Sequence, residues 1–423
     1  MALSRIWSAF IIVAIVVASF KCFFLGQSEI FNWMIIGKAG DVGNPLKVDG
    51  VIETCWTAVN ICLKLIGIMA LFMGFMSIAE RAGGIRLLSK IIGPFFSKLF
   101  PDIPKGHPAT GHMVMNFSAN LLGLDNAATP FGLKAMESLQ ELNPNKDVAS
   151  NSQIMFLCLH ASGLTLIPVS IIAIRASLNS ATPTDIFIPC MIATFMATIA
   201  AMLIVSFKQK INVFQPVILA WVLGISAVIA AMVLYLTSLS TGALQTFSGI
   251  LSNGILLLIF FLIILGGVYK NINVFDAFID GAKGGFDTAI RIIPYLVGML
   301  IAISLLRTSG TFELIINGLK HVCTILGADS RFIDGIPTAL IKPLSGGGAR
   351  GMMIDTMTTH GPDSFAGRLS SILQGSSDTT FYVIAVYFGA VNVKNTRYTV
   401  GAMLLADLVG IITAITLCYL FFG

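Results

Sequence analysis

The sequence predicts an all-α integral membrane protein: a polytopic helical bundle of two inverted repeats, each with a re-entrant hairpin and a broken, polar-headed helix. Three observations carry that expectation. Hydrophobic residues make up 56% of the 423-residue chain and charged residues 11%, against about 25% charged in an average soluble domain. The mean hydropathy is +0.88. Two polar, glycine-punctuated segments, NLLGLDNAATPFG at 120–132 and QGSSDTTFYVIAVYFGA at 374–390, interrupt the apolar pattern once in each half. Lipid cannot satisfy such groups, so they must face one another, water or a bound solute.

Apolar windows of spanning length fall near 6–26, 54–78, 152–175, 186–207, 214–237, 250–269, 287–306, 370–391 and 399–422. Each can supply the roughly 20 residues that cross a bilayer, which gives nine crossings. The first window lacks a small-residue cleavage site and reads as a retained span. Stretches 106–133 and 333–358 are too interrupted by Gly, Asn, Ser and Pro to cross simply. They read as re-entrant hairpins, tolerated at depth only where buried in protein or lining a cavity. Beside them lie amphipathic segments at 85–100 and 312–326.

Loop cations orient the chain. Arg5, Arg81, Arg86, Lys90, Lys98, Lys105, Lys208, Lys210, Lys270, Lys283, Lys394 and Arg397 share one side if the amino terminus is inside, and the other side carries fewer (Lys38, Lys47, Arg175, Lys320 and Arg331). Positive-inside bias therefore favours a cytoplasmic amino terminus in a multi-pass protein.

The halves look related. Aligning 159–176 with 373–390 pairs Ser162 with Ser376, Thr165 with Thr379 and Val169 with Val383. The order span, span, hairpin, polar-headed span, span occurs twice, around a linking span near 214–237. Five crossings separate the two opening spans; an odd number inverts the second copy, an arrangement common among secondary transporters. The domains are therefore expected at 1–207 and 208–423.

Within the second polar segment a helix beginning near Ser376 would converge free backbone N–H groups with the hydroxyls of Ser376, Ser377, Thr379 and Thr380. Asp378 adds a negative charge suited to a cation, a proton or an amine, and an intramembrane carboxylate is a functional-site hypothesis by default. The alternative is that the hydroxyls cap a broken helix while Asp378 pairs with Arg350 or Lys342. In KPLSGGGARG (342–351) three glycines permit close approach by a ligand or a neighbouring helix. Ser345 and Arg350 could bind there, Arg350 clamping a carboxylate or phosphate, or Arg350 could be a structural ion pair. In the first polar segment Asp125, Asn126 and Thr129 offer oxygens for a cation or solute, ahead of Pro130, which is expected to stop or kink its helix. Asn116, Ser118 and Asn120 sit on the preceding limb. His160 could relay protons or be a satisfied buried imidazole.

Several classes are excluded. His107 and His112 have the wrong spacing to share a helix face, so no metal site is expected. The seven cysteines lie mostly in apolar runs without a CxxC pair and read as core thiols. KPLSGGGARG lacks the Lys-Ser/Thr ending of a phosphate-binding loop. No nucleophile–base arrangement or cofactor fingerprint occurs, so no enzyme is expected and no cofactor beyond Na+ or H+ coupling. A net charge of +5 without a dense basic run gives no reason to expect nucleic acid.

NLLGLDNAATPFGLKAMESLQ resembles the signature of spore maturation protein A. KPLSGGGARGMMIDTM and GPDSFAGRLSSILQGSSDTTFYVIAVYFGAVNVKNTRY resemble that of spore maturation protein B. The chain thus resembles an A–B fusion with its seam near 205–215. The family's shared element is the nucleoside-recognition or Gate domain. The resemblance implies a bacterial inner-membrane protein with two Gate-type repeats that transports a solute; the nucleoside label is a domain-level analogy and does not fix the substrate.

The expectation is a secondary transporter of a small polar solute such as a nucleoside, amino acid, short peptide or organic anion. Asn116, Ser118, Asn120, Asn126, Thr129, Ser345, Arg350, Ser376, Ser377, Thr379 and Thr380 are its solute-binding candidates. Asp125, Asp378 and His160 are its ion-coupling candidates. The alternative is a membrane scaffold or sensor whose polar breaks are structural. Its partners are the bilayer and the solute; a homodimer would suit such a protein, though no residue decides it.

Overall fold

The computed structural model describes residues 2–38, 48–121, 125–165, 167–237, 241–325, 327 and 329–423. It is helical apart from short turns and one two-residue antiparallel pair, Gly37–Lys38 with Val48–Asp49. Among the described residues four helices are long and apolar enough to cross a membrane: Trp7–Phe24, Val51–Arg81, Phe187–Gln209 and Thr399–Phe422. Leu296–Thr308 and Thr311–Ile325 meet those criteria together, bent by 71° at their junction. The protein is a polytopic helical membrane protein, as the composition requires.

The chain opens with α1 (Ala2–Phe24) and the short α2 (Ile30–Ile36). There follow α3 (Val51–Arg81), α4 (Gly84–Leu99), the hairpin α5 (Pro108–Leu121) and α6 (Asp125–Leu142), the short pair α7 (Asn151–Ser162) and α8 (Val169–Ser177), and α9 (Phe187–Gln209). After α10 (Pro216–Thr237) come α11 (Thr241–Tyr269), α12 (Val274–Thr308), α13 (Thr311–Ile325), α14 (Pro337–Ile341) and α15 (Gly346–His360). The chain ends with α16 (Phe365–Gly375), α17 (Thr380–Ala390) and α18 (Thr399–Phe422). With α2 set aside, the order from α1 to α9 recurs from α11 to α18: two long helices, an amphipathic one, a hairpin, an interrupted pair and a long helix.

Several expected elements are redrawn. The windows at 152–175 and 370–391 are not single helices. α7 starts from a capping box, in which Ser150 Oγ accepts from the Gln153 N–H and Gln153 Oε1 accepts from the Ser150 N–H. It stops at Gly163, whose φ of +57° suits a residue without a Cβ. The helix after the second break begins at Thr380 and not near Ser376; Ser376–Thr379 stay non-helical. Pro130 does not stop α6, which runs through it to Leu142. α12 begins well before its apolar window because Asp276, Asp280 and Lys283 occupy its first turns, which hydropathy does not register.

The helices gather into two compact units. The first holds Met1–Met69, Ala173–Pro183 and Gly285–Gln374, the second Ala70–Ile172, Thr184–Gly284 and Gly375–Gly423. Each unit draws on both sequence halves, because the chain changes unit within α8 and again at the end of α16.

In the first unit Arg175 is fully buried and is not the free loop charge the topology reading assumed. Its guanidinium donates to the carbonyls of Pro183 (3.2 Å), Pro362 (2.6 Å) and Thr182 (3.3 Å), to Ser180 Oγ (3.2 Å) and to Asp363 Oδ1 (2.9 Å). One planar cation thereby ties the loop after α8 to the loop before α16. A second pair, Arg307 with Asp355, is bidentate and nearly buried, and Arg307 lies 4.5 Å from the Phe312 ring centroid. Lys342 is buried and donates to the carbonyls of Leu373 and Gln374, placing a cation at the carboxyl end of α16.

Asp363 is expected to make this unit pH-sensitive. Partial burial pushes its carboxyl up, but the Ser180 hydroxyl, the Ala181 N–H and Arg175 outweigh burial and hold it below the ordinary carboxylate range. A carboxylate with a depressed folded-state pKa contributes stability above its unfolded value, about 3.9, and loses it as pH falls through the folded value. The melting temperature should therefore drop as pH is lowered below about 4. That acid limb should be shallower in Asp363→Asn, as thermal unfolding across a pH series in detergent would show.

The second unit is built around α7, of which every residue from Ser152 to Ser162 is buried. Phe96, Met113, Phe117, Met136, Phe156 and Phe388 are among the apolar side chains of its core, contributed by α4, α5, α6, α7 and α17. Each fully buried side chain of that size contributes about 1.5–3 kcal/mol relative to leaving it in water. In a bilayer the same packing fixes where α7 ends, and that end is where the polar residues meet.

Candidate functional site

The chain breaks that follow α7 and α16 meet in the second unit. The backbone N–H of Asp378 donates to the Ala161 carbonyl at 2.6 Å, so the non-helical stretch after α16 crosses the carboxyl end of α7. Gly163 and Gly375 flank the crossing, Gly163 against the Asp378 amide and Gly375 against Cys190 and Ile171. Since α17 starts at Thr380, the N–H groups of its first turn have no helical acceptor and carry the positive end of the helix dipole.

His160, on the last turn of α7, organises the polar side chains. Asn116 Nδ2 donates to the Ala128 carbonyl at 2.7 Å. A carbonyl only accepts, which fixes the Asn116 amide and turns its Oδ1 to His160 Nδ1, 3.1 Å away. Nδ1 therefore carries a proton. Asn120 Nδ2 is placed 2.9 Å from the same nitrogen; a protonated Nδ1 cannot accept, so that amide is assigned turned over, its oxygen sharing the proton. With Nδ1 committed, Nε2 is the atom at which this imidazole gains or loses a proton.

Tyr387 of α17 packs edge-on against His160 with centroids 4.7 Å apart, and its hydroxyl hydrogen-bonds Thr129 of α6. Gly132 leaves room for that ring. A Cβ there would come within 2.5 Å of Tyr387 Cε1 and 2.8 Å of Asn116 Nδ2. Gly132→Ala should thus cost about 1–3 kcal/mol through overpacking. Thermal unfolding should show it as a lowered midpoint, with a larger loss in Gly132→Val.

Asp378 is exposed on the non-helical stretch, Oδ1 accepts from the Thr379 N–H at 2.7 Å, and its charge acts on both His160 and Tyr387. Thr380 is fully buried and donates to Asp407 Oδ2 at 2.5 Å, the length of a hydroxyl-to-carboxylate bond. Asp407 lies midway along the apolar α18 and is 5% exposed.

The structure thus brings together Asn116, Asn120, Thr129, His160, Asp378 and Thr380. Ser376 is buried beside Gly410 of α18, Ser377 is half-buried and Thr379 is buried as the residue preceding α17. Ser118 is turned away: two positions from Asn116 it lies on the opposite helix face, bonded to the Val114 carbonyl (2.8 Å) and Ser89 Oγ (3.2 Å). The side chains of Asp125 and Asn126 lie outside the described residues. Ser345 and Arg350 belong to the first unit. Ser345 Oγ caps α15 by accepting from the Gly348 N–H at 3.0 Å, and Arg350 is half-buried on that helix. Gly348 and Gly351 of the glycine run face Met299 of α12 at 3.1 and 3.0 Å from an added Cβ, so they serve helix packing.

The sequence reading missed Asp407 and Tyr387. Asp407 was detectable as the lone charge in the last apolar window, where any carboxylate merits attention. Tyr387 had no comparable signal, since only its packing on His160 distinguishes it from other aromatics of an apolar helix.

Fold and site together define a polytopic membrane protein whose polar groups collect where helices are interrupted. The chain belongs to the Gate family, described as nucleoside recognition, which matches residues 62–178 and 289–394, a little over half its length. Each matched segment contains one amphipathic helix, one hairpin and one interrupted pair. The chain is 45% identical over 161 residues to spore maturation protein B of Bacillus subtilis (strain 168), spanning 38% of this chain and 89% of that protein. It is 44% identical over 156 residues to spore maturation protein A of the same organism, spanning 37% of this chain and 80% of that protein. No solved structure matches.

Proposed function

We propose that the chain is a secondary transporter that moves a small polar solute across the bacterial inner membrane, coupled to Na+ or H+. Its amino terminus is cytoplasmic and its halves are inverted. The observation that supports this reading most is the crossing of Asp378 over the carboxyl end of α7, beside the His160–Asn116–Asn120 cluster. Backbone interruptions at membrane depth occur where they are buried in protein or line a hydrated cavity. Discontinuous helices whose ends face a solute recur in secondary transporters.

In this reading Asp378 binds the coupling cation or proton, and the free N–H groups at the start of α17 receive an anionic or dipolar part of the solute. Asn116, Asn120 and Thr129 hold the geometry of His160 and Tyr387. The Thr380–Asp407 pair anchors α17 to α18. The Gate description favours a nucleoside among the solute classes, with an amino acid, short peptide or organic anion as the others.

The test is uptake into liposomes carrying the purified chain, with labelled uridine, adenosine and an amino-acid panel under imposed Na+ or pH gradients. Saturable uptake that collapses when the gradient is dissipated is expected. A folded protein that neither takes up any of these probes nor is thermally stabilised by them would contradict the transporter reading and favour a membrane scaffold.

A further inference from the structure

A cleft of about 800 Å³ opens in the second unit where α3 ends, α4 begins and α11 ends. Among the described residues that line it, Arg81, Arg86, Lys90 and Lys270 are cationic and none is acidic, while Leu87, Ile259, Leu262 and Ile263 give it an apolar wall. The two chemistries follow from position. α3 is an apolar helix of spanning length that reaches its last turn at Arg81, and α11 is apolar up to Tyr269 and is followed by Lys270. The cleft therefore sits where hydrocarbon gives way to headgroups.

α4 fits the same level. It is amphipathic, with Arg86 and Lys90 one turn apart on one face and Leu87 and Ile91 beside them, 61% and 48% exposed. A basic helix with exposed apolar residues lies in the interfacial plane. Tyr269, 80% exposed at the cleft, is the type of residue that settles at headgroup depth. Arg81 is already paired with Asp280 at 2.9 Å, whereas Arg86, Lys90 and Lys270 present their charges at the exposed rim.

We propose that this cleft binds an anionic phospholipid, with the headgroup phosphate held by Arg86, Lys90 and Lys270 and an acyl chain laid along Ile259, Leu262 and Leu87. A cationic rim above an apolar wall complements a molecule with a phosphate at one end and hydrocarbon at the other. Basic pockets between membrane helices take anionic headgroups for this reason. The site is separate from the His160 cluster and does not depend on transport.

The experiment is thermal unfolding of the full chain in a neutral detergent with added phosphatidylglycerol, phosphatidylcholine of the same acyl chains, or inorganic phosphate. Phosphatidylglycerol at about a hundredfold excess over its dissociation constant should raise the midpoint by roughly 3 °C; the other two additions should leave it in place. The Arg86→Gln/Lys90→Gln/Lys270→Gln variant should unfold at the parent temperature without lipid and lose the shift. Gly266→Trp keeps every charge and fills the cleft from α11, where an added Cβ meets only Ala82 at 3.7 Å; it too should lose the shift. Equal shifts in both variants and parent, an equal effect of phosphatidylcholine or phosphate, or a midpoint that follows protein concentration instead of lipid would overturn the proposal.

Discussion

Asp378→Asn is expected to reduce gradient-driven uptake by about 10- to 100-fold and to leave the fold intact. The magnitude follows from removing one charged partner of a bound cation, a contact of about 1.5–3 kcal/mol, at 1.4 kcal/mol per tenfold. The fold should survive because the carboxylate is exposed and, among the described residues, its Oδ1 accepts from the next residue's N–H alone. The Asn amide oxygen can accept that bond, so the unfolding midpoint should move by no more than an ordinary surface substitution, about 0.5 kcal/mol. Side-by-side liposome uptake and thermal unfolding check both halves. Parent-level uptake by the variant would remove Asp378 from the coupling role and leave Asp407 and His160 as the ionisable groups to examine.

Arg175→Ala is expected to be the most damaging single substitution in the first unit, costing about 3–5 kcal/mol. The guanidinium satisfies three carbonyls, one hydroxyl and the Asp363 carboxylate from a fully buried position. Its loss strands those acceptors and leaves Asp363 with Arg368 as its remaining cation among the described residues. Arg175→Met retains volume but not the donors and should fall almost as far. Arg175→Lys restores charge without the planar fork and should recover less than half. Size-exclusion recovery after a heating series ranks the three; a parent-like Arg175→Ala would show that the two loops hold their positions without this residue.

Much of the fold was legible because its cause is one-dimensional. Hydropathy marks α1, α3, α9, α10 and α18 to within a few residues, and amphipathic spacing marks α4 and α13. The break at Ser376 was visible as polar residues and a glycine where lipid would forbid them, whereas 152–175 reads as one apolar span and hides the break at Gly163. Less legible was which side chains those breaks join. Nothing in spacing pairs the Asp378 amide with the Ala161 carbonyl, 217 positions earlier. Likewise Arg175 reads as a loop cation until Asp363, 188 positions away, is placed against it. Ser118 reads as a binding residue until helix phase turns it toward Ser89. Local chemistry announces that a polar group needs a partner; only packing names the partner.

The central claim is that the interruption carrying Asp378 faces a hydrated chamber within the membrane. Thiol labelling tests it directly. On a background with the seven native cysteines replaced, Asp378→Cys is compared with Leu405→Cys, which is 53% exposed on the apolar helix α18. The thiolate is the reactive species and forms only in water. A membrane-impermeant methanethiosulfonate should label the cysteine at 378 at least about tenfold faster than the one at 405, and a transported solute should slow the reaction at 378 alone. Equal, negligible labelling at both positions would mean that the crossing is dry and that the polar groups there are structural.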